Sequence, residues 1–262
     1  MKLFTVPNLI TLGNLLCGCV AIVFAFNGNL AWAAYLVGIA AVLDFLDGFV
    51  ARALKQYSPV GKDLDSLADM VTFGVVPGVV MFQLMRAALI ADDEGLGMWG
   101  MTKLDLLAYP LAFVAFLITL FSALRLAKFN NDTRQSDSFI GVPTPANSIL
   151  ICSFPLIATY INNKYSGDIV GFDQAVFSFI INPWVLTGIT LIMSYLLISE
   201  IPLFALKFKS FKWKGNEIRY SFLAAAVIML VLLKFIALPL IIVLYVLMSV
   251  VNNVMKRNEK KG

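Results

Sequence analysis

Four aspartates are the residues of this sequence best suited to chemistry. Asp44 and Asp47 lie three residues apart and Asp65 and Asp69 four apart, all within or against strongly apolar runs. Those separations put both members of a pair on one helix face. Carboxylates inside apolar helices are costly and mark function. A short connection between the two helices makes them antiparallel neighbours, so the four groups converge. Converging carboxylates repel one another and stay ionised only beside compensating cations. Hard oxygen donors suit Mg²⁺ or Mn²⁺. Two such ions about 4 Å apart are the usual grip on a phosphoryl centre. Salt bridges to Arg52 and Lys62 are the structural alternative, but two cations at the membrane edge do not balance four acids.

The neighbouring residues suit a phosphate ligand. Gly48 and Ala51 sit one turn from the first pair of acids, and Gly61 opens the next helix. Such small residues let a bulky ligand, or another helix backbone, approach closely. Arg52 offers a forked donor set to a phosphate. The chain has no histidine, so a general base must be a carboxylate, lysine, cysteine or tyrosine. Cys17, Cys19 and Cys152 lie in apolar runs and read as buried thiols.

The elements that must position these groups are membrane helices. Of the 262 residues 60% are hydrophobic and only 14% charged, with a mean hydropathy of +0.86. Soluble domains are about half apolar and about a quarter charged; a bilayer absorbs the excess. A spanning helix needs roughly 20 mainly apolar residues. Eight such runs are expected, at 7–27, 30–54, 62–90, 104–129, 144–162, 184–206, 220–236 and 238–255. The last two could also form one kinked segment. The predicted fold is therefore an all-α, polytopic integral membrane bundle: a six-helix core and a C-terminal hairpin. Residues 1–206 form the catalytic part. Residues 207–262 comprise a basic loop, the hairpin and a short basic tail.

Loop charge sets the orientation. With the N-terminus and the aspartates on the cytoplasmic side of the cell (inner) membrane, that side receives 16 of the 20 lysines and arginines. The N-terminal apolar run is expected to be a retained span and not a cleaved signal, because Pro7 and Asn8 interrupt its start. The segment 207–219 (Lys207, Lys209, Phe211, Lys212, Trp213, Lys214) reads as a lipid-hugging loop. No basic stripe interleaves with exposed aromatics, which argues against a nucleic-acid partner.

From Asp44 to Asp69 the chain reads D-x2-D-G-x2-A-R-x8-G-x3-D-x3-D, with all eight fixed positions present across 26 residues. This resembles the signature of the CDP-alcohol phosphotransferase family. The resemblance implies that Asp44, Asp47 and Asp65 ligate metal and that Asp69 is the general base with possible metal contact. It implies that Gly48, Ala51 and Gly61 line a CDP pocket, that Arg52 approaches phosphate or nucleotide, and that the enzyme is a homodimer. Asn8 and Thr11, in Pro7-Asn8-Leu-Ile-Thr11, resemble the polar start of the family's first span. Nucleotide contact and simple capping of their own helix both remain open for this pair.

Two further stretches bear on the acceptor. Ala123-Leu-Arg125-Leu-Ala-Lys128-Phe-Asn130 and Gly141-Val-Pro143-Thr144-Pro145-Ala146 resemble the bacterial and archaeal membrane-type phosphatidylserine synthases. The resemblance implies CDP-diacylglycerol and L-serine as substrates, in the lipid bilayer. Arg125 and Lys128 could meet a serine carboxylate, and Asn130 or Asn131 could bond either charged group. Alternatively, Arg125 and Lys128 only follow the positive-inside rule. Glycerol 3-phosphate and an inositol phosphate stay open as acceptors. A cation-coupled transporter would explain the buried acids, but not Gly48, Ala51, Arg52 and Gly61 at fixed spacing; a silent scaffold would not need every acid.

Overall fold

Local signals open and close several helices of the computed structural model, which describes residues 3–94, 109–132, 138–165, 168–204, 213 and 216–259. Residues 104–108 of the expected fourth span and most of the basic segment 207–219 lie outside the described residues. Helix α1 (Val6–Phe26) starts where Thr5 accepts the Asn8 N–H, and it ends at Gly28, whose φ is 79°. Helix α2 (Leu30–Ala53) returns alongside it. Helix α3 (Pro59–Asp69) is capped by Ser58, which accepts the Gly61 N–H at 3.0 Å, with Pro59 in the first turn. The same helical run continues through a π turn, Met70–Val75, into α4 (Val76–Glu94). The stretch Pro59–Ile90 is mostly enclosed by the other helices.

A 3₁₀ turn (Pro110–Phe116) leads into α5 (Leu117–Asn131), which packs closely on α4. Gly78 permits this approach: a Cβ there would lie 2.2 Å from Thr119 Oγ1. Rings of Phe82, Phe113 and Phe116 stack at the same contact. Helix α6 (Thr144–Lys164) runs through the middle of the bundle, with nearly every residue of its central turns buried. A two-stranded antiparallel ribbon, β1 (Ser138–Ile140) with β2 (Pro202–Phe204), pairs Phe139 with Leu203. Between β1 and α6, Gly141 holds φ 74° against the Leu197 carbonyl. The ribbon is the one exception to an all-helical architecture among the described residues.

Among the described residues six helical stretches are long and apolar enough to cross a bilayer, or seven counting the bent pair α7 (Gly171–Ile180) and α8 (Pro183–Ile198). Eight were expected, and the difference has two causes. The expected 184–206 span stops at Ile198, where the chain becomes extended to form β2, and it gains α7, a short helix bent from it by 65°. The stretch Glu217–Met255 is continuous in helical backbone, yet Lys234 has φ 52°. There α9 (Glu217–Leu233) gives way to α10 (Ala237–Glu259). The rings of Phe222 and Tyr245 lie 5.6 Å apart, although 23 residues of straight helix would separate them by about 35 Å. The two arms therefore fold back on each other. Tyr245 and Asn253 of the second arm donate to the β2 carbonyls of Phe204 and Pro202.

Candidate metal and nucleotide site

Helices α2 and α3 both pack on α1, and the acids come together across the gap between them. Asp44, Asp47 and Asp65 each offer one oxygen, and these three oxygens lie within 4.8 Å of one another. Asp65 Oδ1 is buried with no hydrogen-bond partner. An orphaned buried carboxylate oxygen is expensive unless something positive meets it. A hard trio of oxygens with one lone pair unclaimed is the donor set a divalent cation requires. These residues therefore fit the ion. Asp69, at the end of α3, lies within electrostatic range of Asp44, Asp65 and Asp47 but outside the 4.8 Å trio.

Helix α1 supplies the outer contacts. Thr11 Oγ1 lies 2.6 Å from Asp47 Oδ2 and 3.1 Å from the Pro7 carbonyl. Asn14 Nδ2 donates to Asp69 Oδ1 at 3.4 Å, and the Asn14 carbonyl accepts from Thr72 in the π turn at 3.2 Å. Gly18, one turn further, lets α1 approach that turn: a Cβ there would lie 2.5 Å from Thr72 Oγ1. Asn14 was not singled out from the sequence. The signal was present in Asn8, Thr11, Asn14 and Gly18, a polar-to-small stripe at helical spacing along an otherwise apolar span.

Beside the trio is a cavity of about 210 Å³. It is lined by every residue assigned to the nucleotide from sequence: Asn8, Thr11, Gly48, Ala51, Arg52 and Gly61, with Asp47 and Asp65. The connection after α2 adds Gln56, Tyr57 and Ser58, and α3 adds Lys62. Asn8 spends its amide N–H on the Leu3 carbonyl at 2.8 Å, so its amide oxygen is the atom near Gly61. The linker residues carried no motif, and only the fold shows them against the site.

The four acceptor candidates are not brought together. Arg125 is buried at 5% exposure and donates through Nε to the Val142 carbonyl at 2.9 Å. Its charge interacts with Asp69. Lys128 turns away and pairs with Glu200. Asn130 donates to Ser66 Oγ at 2.8 Å, and its carbonyl accepts from Lys62. Asn131 is exposed and donates to Ala127 within its own helix. Of the four, Arg125 is the buried cation.

Residues 4–196 match the model of the family described as CDP-alcohol phosphatidyltransferase. A CDP-diacylglycerol–serine O-phosphatidyltransferase of Bacillus subtilis (strain 168) is 30% identical over 216 residues, 81% of this chain and 94% of that protein. The protein of the same name from Helicobacter pylori (strain J99) is 34% identical over 165 residues, 62% of this chain and 60% of its own length. An archaetidylserine synthase of Methanothermobacter thermautotrophicus is 31% identical over 156 residues, 59% of each chain. The chain thus spans about three-fifths of the length of the Helicobacter and archaeal relatives.

Proposed function

Because the chain belongs to the CDP-alcohol phosphatidyltransferase family, we propose that it transfers the phosphatidyl group of CDP-diacylglycerol to L-serine, giving phosphatidylserine and CMP. The observation that carries this reading is the carboxylate trio opening onto a small-residue cavity beside Arg52 and Lys62. The names of the relatives support the acceptor: those of the bacterial and archaeal proteins differ in the lipid and share serine.

The chain's own residues divide the work. Arg52, Lys62 and the small residues around them hold the pyrophosphate and nucleotide. Asp44, Asp47, Asp65 and Asp69 would hold the divalent cation (Mg²⁺ or Mn²⁺, two ions in our reading), which would neutralise charge at the pyrophosphate. Arg125 meets the serine carboxylate. Asp69 takes the proton of the serine hydroxyl. The serine oxygen bonds to the phosphatidyl phosphorus, the bond from that phosphorus to the bridging oxygen breaks, and CMP leaves with that oxygen. The displacement is direct, with no phosphoenzyme. Asn14 holds Asp69 in place from α1.

The site faces the cytoplasm in this reading, because loops at that end of the helices carry most of the basic residues. The enzyme works as a homodimer in the inner membrane. The test is CMP release by purified protein given CDP-diacylglycerol, Mg²⁺ or Mn²⁺, and in turn serine, glycerol 3-phosphate, an inositol phosphate or no acceptor. Metal-dependent release with serine alone, lost in Asp69→Asn, is the expected result. Release with a different alcohol overturns the acceptor, and no release by folded protein overturns the activity.

A further inference from the structure

We propose that the cavity between α6, α7, α8 and α10 binds an anionic phospholipid that is not the substrate, with the lipid phosphate on Lys234 and one acyl chain between the helices. The cavity encloses about 550 Å³, within the roughly 300–1,000 Å³ of small-molecule sites. Leu150, Phe154 and Ile157 line it from α6, and Ile236, Leu240 and Val243 from the start of α10. Both sets recur at four and three residues, so each forms one stripe along its helix, about 10 Å long. Phe172 and Ile192 border the cavity and are themselves exposed, so this trough opens sideways to the bilayer. It shares no lining residue with the cavity beside the aspartates.

One end of the trough carries a cation. The Lys234 ammonium, two residues before Ile236, sits 5.1 Å from the ring centroid of Tyr160, one turn beyond Ile157. That end is opposite the aspartates: Tyr160 is a helical rise of about 24 Å from Thr144, and Thr144 follows closely on the Val142 carbonyl that Arg125 holds. Tyr160 and Tyr165 gather there with Trp184 at the start of α8, as aromatic side chains do at a membrane–water boundary. Lys234 is therefore at headgroup depth. The other described lysine at this end is already matched: Lys164 pairs with Asp173, which also accepts from Tyr165 at 2.8 Å. Lys234 is exposed and has no acidic partner among the described residues. Its backbone, φ 52° and ψ −125°, is a conformation that glycine takes freely and lysine takes under strain. The turn thus holds a charged side chain where a glycine would sit more easily. A tail moving from the bilayer into the trough exchanges one apolar medium for another and adds little affinity. The headgroup decides instead, because an ammonium at the interface favours a lipid of net negative charge over a zwitterionic one. Touching four helices at once, the bound lipid fastens the C-terminal hairpin to the bundle.

The test uses the full chain in phosphatidylcholine nanodiscs, with a phosphatidylglycerol bearing a diazirine at the end of one acyl chain. After photolysis the label is expected in 150–157 or 236–243. Unlabelled phosphatidylglycerol should displace it about fivefold better than added phosphatidylcholine, the worth of one basic residue near an anionic surface. Inorganic phosphate should not displace it. Phosphatidylglycerol should also raise Tm, because it binds only the folded chain. Lys234→Gln removes the charge, and Lys234→Gly removes charge and strain together. Both should lose the lipid preference and the Tm rise, while Lys234→Arg keeps them. Asp65→Asn, in the carboxylate trio, should leave the labelling unchanged. Label elsewhere, equal displacement by the two lipids, displacement by inorganic phosphate, label lost in Asp65→Asn, or a preference intact in both Lys234→Gln and Lys234→Gly overturns the proposal. So does a disulfide joining the two substituted positions in Phe172→Cys protein, because a second copy of the chain would then cover the mouth.

Discussion

Replacing Gly18 by alanine tests whether α1 sets the position of Asp69. The added Cβ would lie 2.5 Å from Thr72 Oγ1, 3.1 Å from Thr72 Cα and 3.2 Å from Thr72 Cβ. The hydroxyl can rotate away, but Cα is backbone, so either α1 or the π turn must yield. Overpacking of this kind costs about 1–3 kcal/mol. The same contact carries Thr72 Oγ1 to the Asn14 carbonyl and Asn14 Nδ2 to Asp69. Movement at Thr72 therefore reaches the carboxylate directly, and misplacing a reacting group by about 1 Å costs about a hundredfold in rate. Gly18→Ala is expected to lose stability and to lower kcat for CMP release by about tenfold to a hundredfold, with little change in the KM for lipid. The assay is turnover of monodisperse protein in detergent beside a melting curve, with Gly188→Ala as the control at an open position. Adding Thr72→Ala removes the shortest contact and should recover part of the loss. A Gly18→Ala enzyme with parental melting and parental kcat refutes the reasoning.

Other outcomes follow from the same contacts. Thr11→Val removes the hydroxyl 2.6 Å from Asp47 and should weaken Mn²⁺ binding, read by electron paramagnetic resonance, by about 10–100-fold, as losses of outer-shell partners do. Arg125→Lys should raise the KM for serine by roughly tenfold, because a point charge does not replace a planar fork. Lys128→Met should leave that KM unchanged and cost at most about 1 kcal/mol in unfolding, since Lys128 pairs with Glu200 at the surface. Gly141→Ala combines φ 74° with a Cβ 2.6 Å from the Leu197 carbonyl and should destabilise by more than about 1 kcal/mol, measured by thermal unfolding.

The sequence and the structure agree best where one helical period holds from end to end. The first two spans begin and end within a few residues of expectation, because Thr5, Gly28 and Arg52 are conventional end signals. The convergence of the three acids was legible because each lies on a stretch of regular helix. Agreement fails where tertiary contact decides. The expected span ran on through Glu200 and Pro202, whereas the chain is extended there and Pro202–Phe204 pairs with Ser138–Ile140. Lys128 satisfies every charge rule for a binding cation, and it is Glu200, distant in sequence, that claims it. Helix α7 is too short to register as a span and is held by packing against α6 and α8. Asn14 continues the polar stripe of Asn8 and Thr11, but its partner, Asp69, is named only by the fold.

The π turn at Met70–Val75 works as a phase shift. It uses one more residue per turn than the α-helix on either side, so no single helical wheel describes Pro59–Ile90. The half before it can aim Asp65 and Asp69 at the site while the half after it keeps Val76, Val79 and Val80 inside the bundle. Two incompatible periodicities are thereby spliced into one rod. Deleting a single residue here would rotate the acids relative to the buried half by about 100°. The stretch is therefore far more sensitive to its length than to its composition: apolar exchanges within it preserve the splice, while a one-residue insertion or deletion moves the carboxylates out of the site.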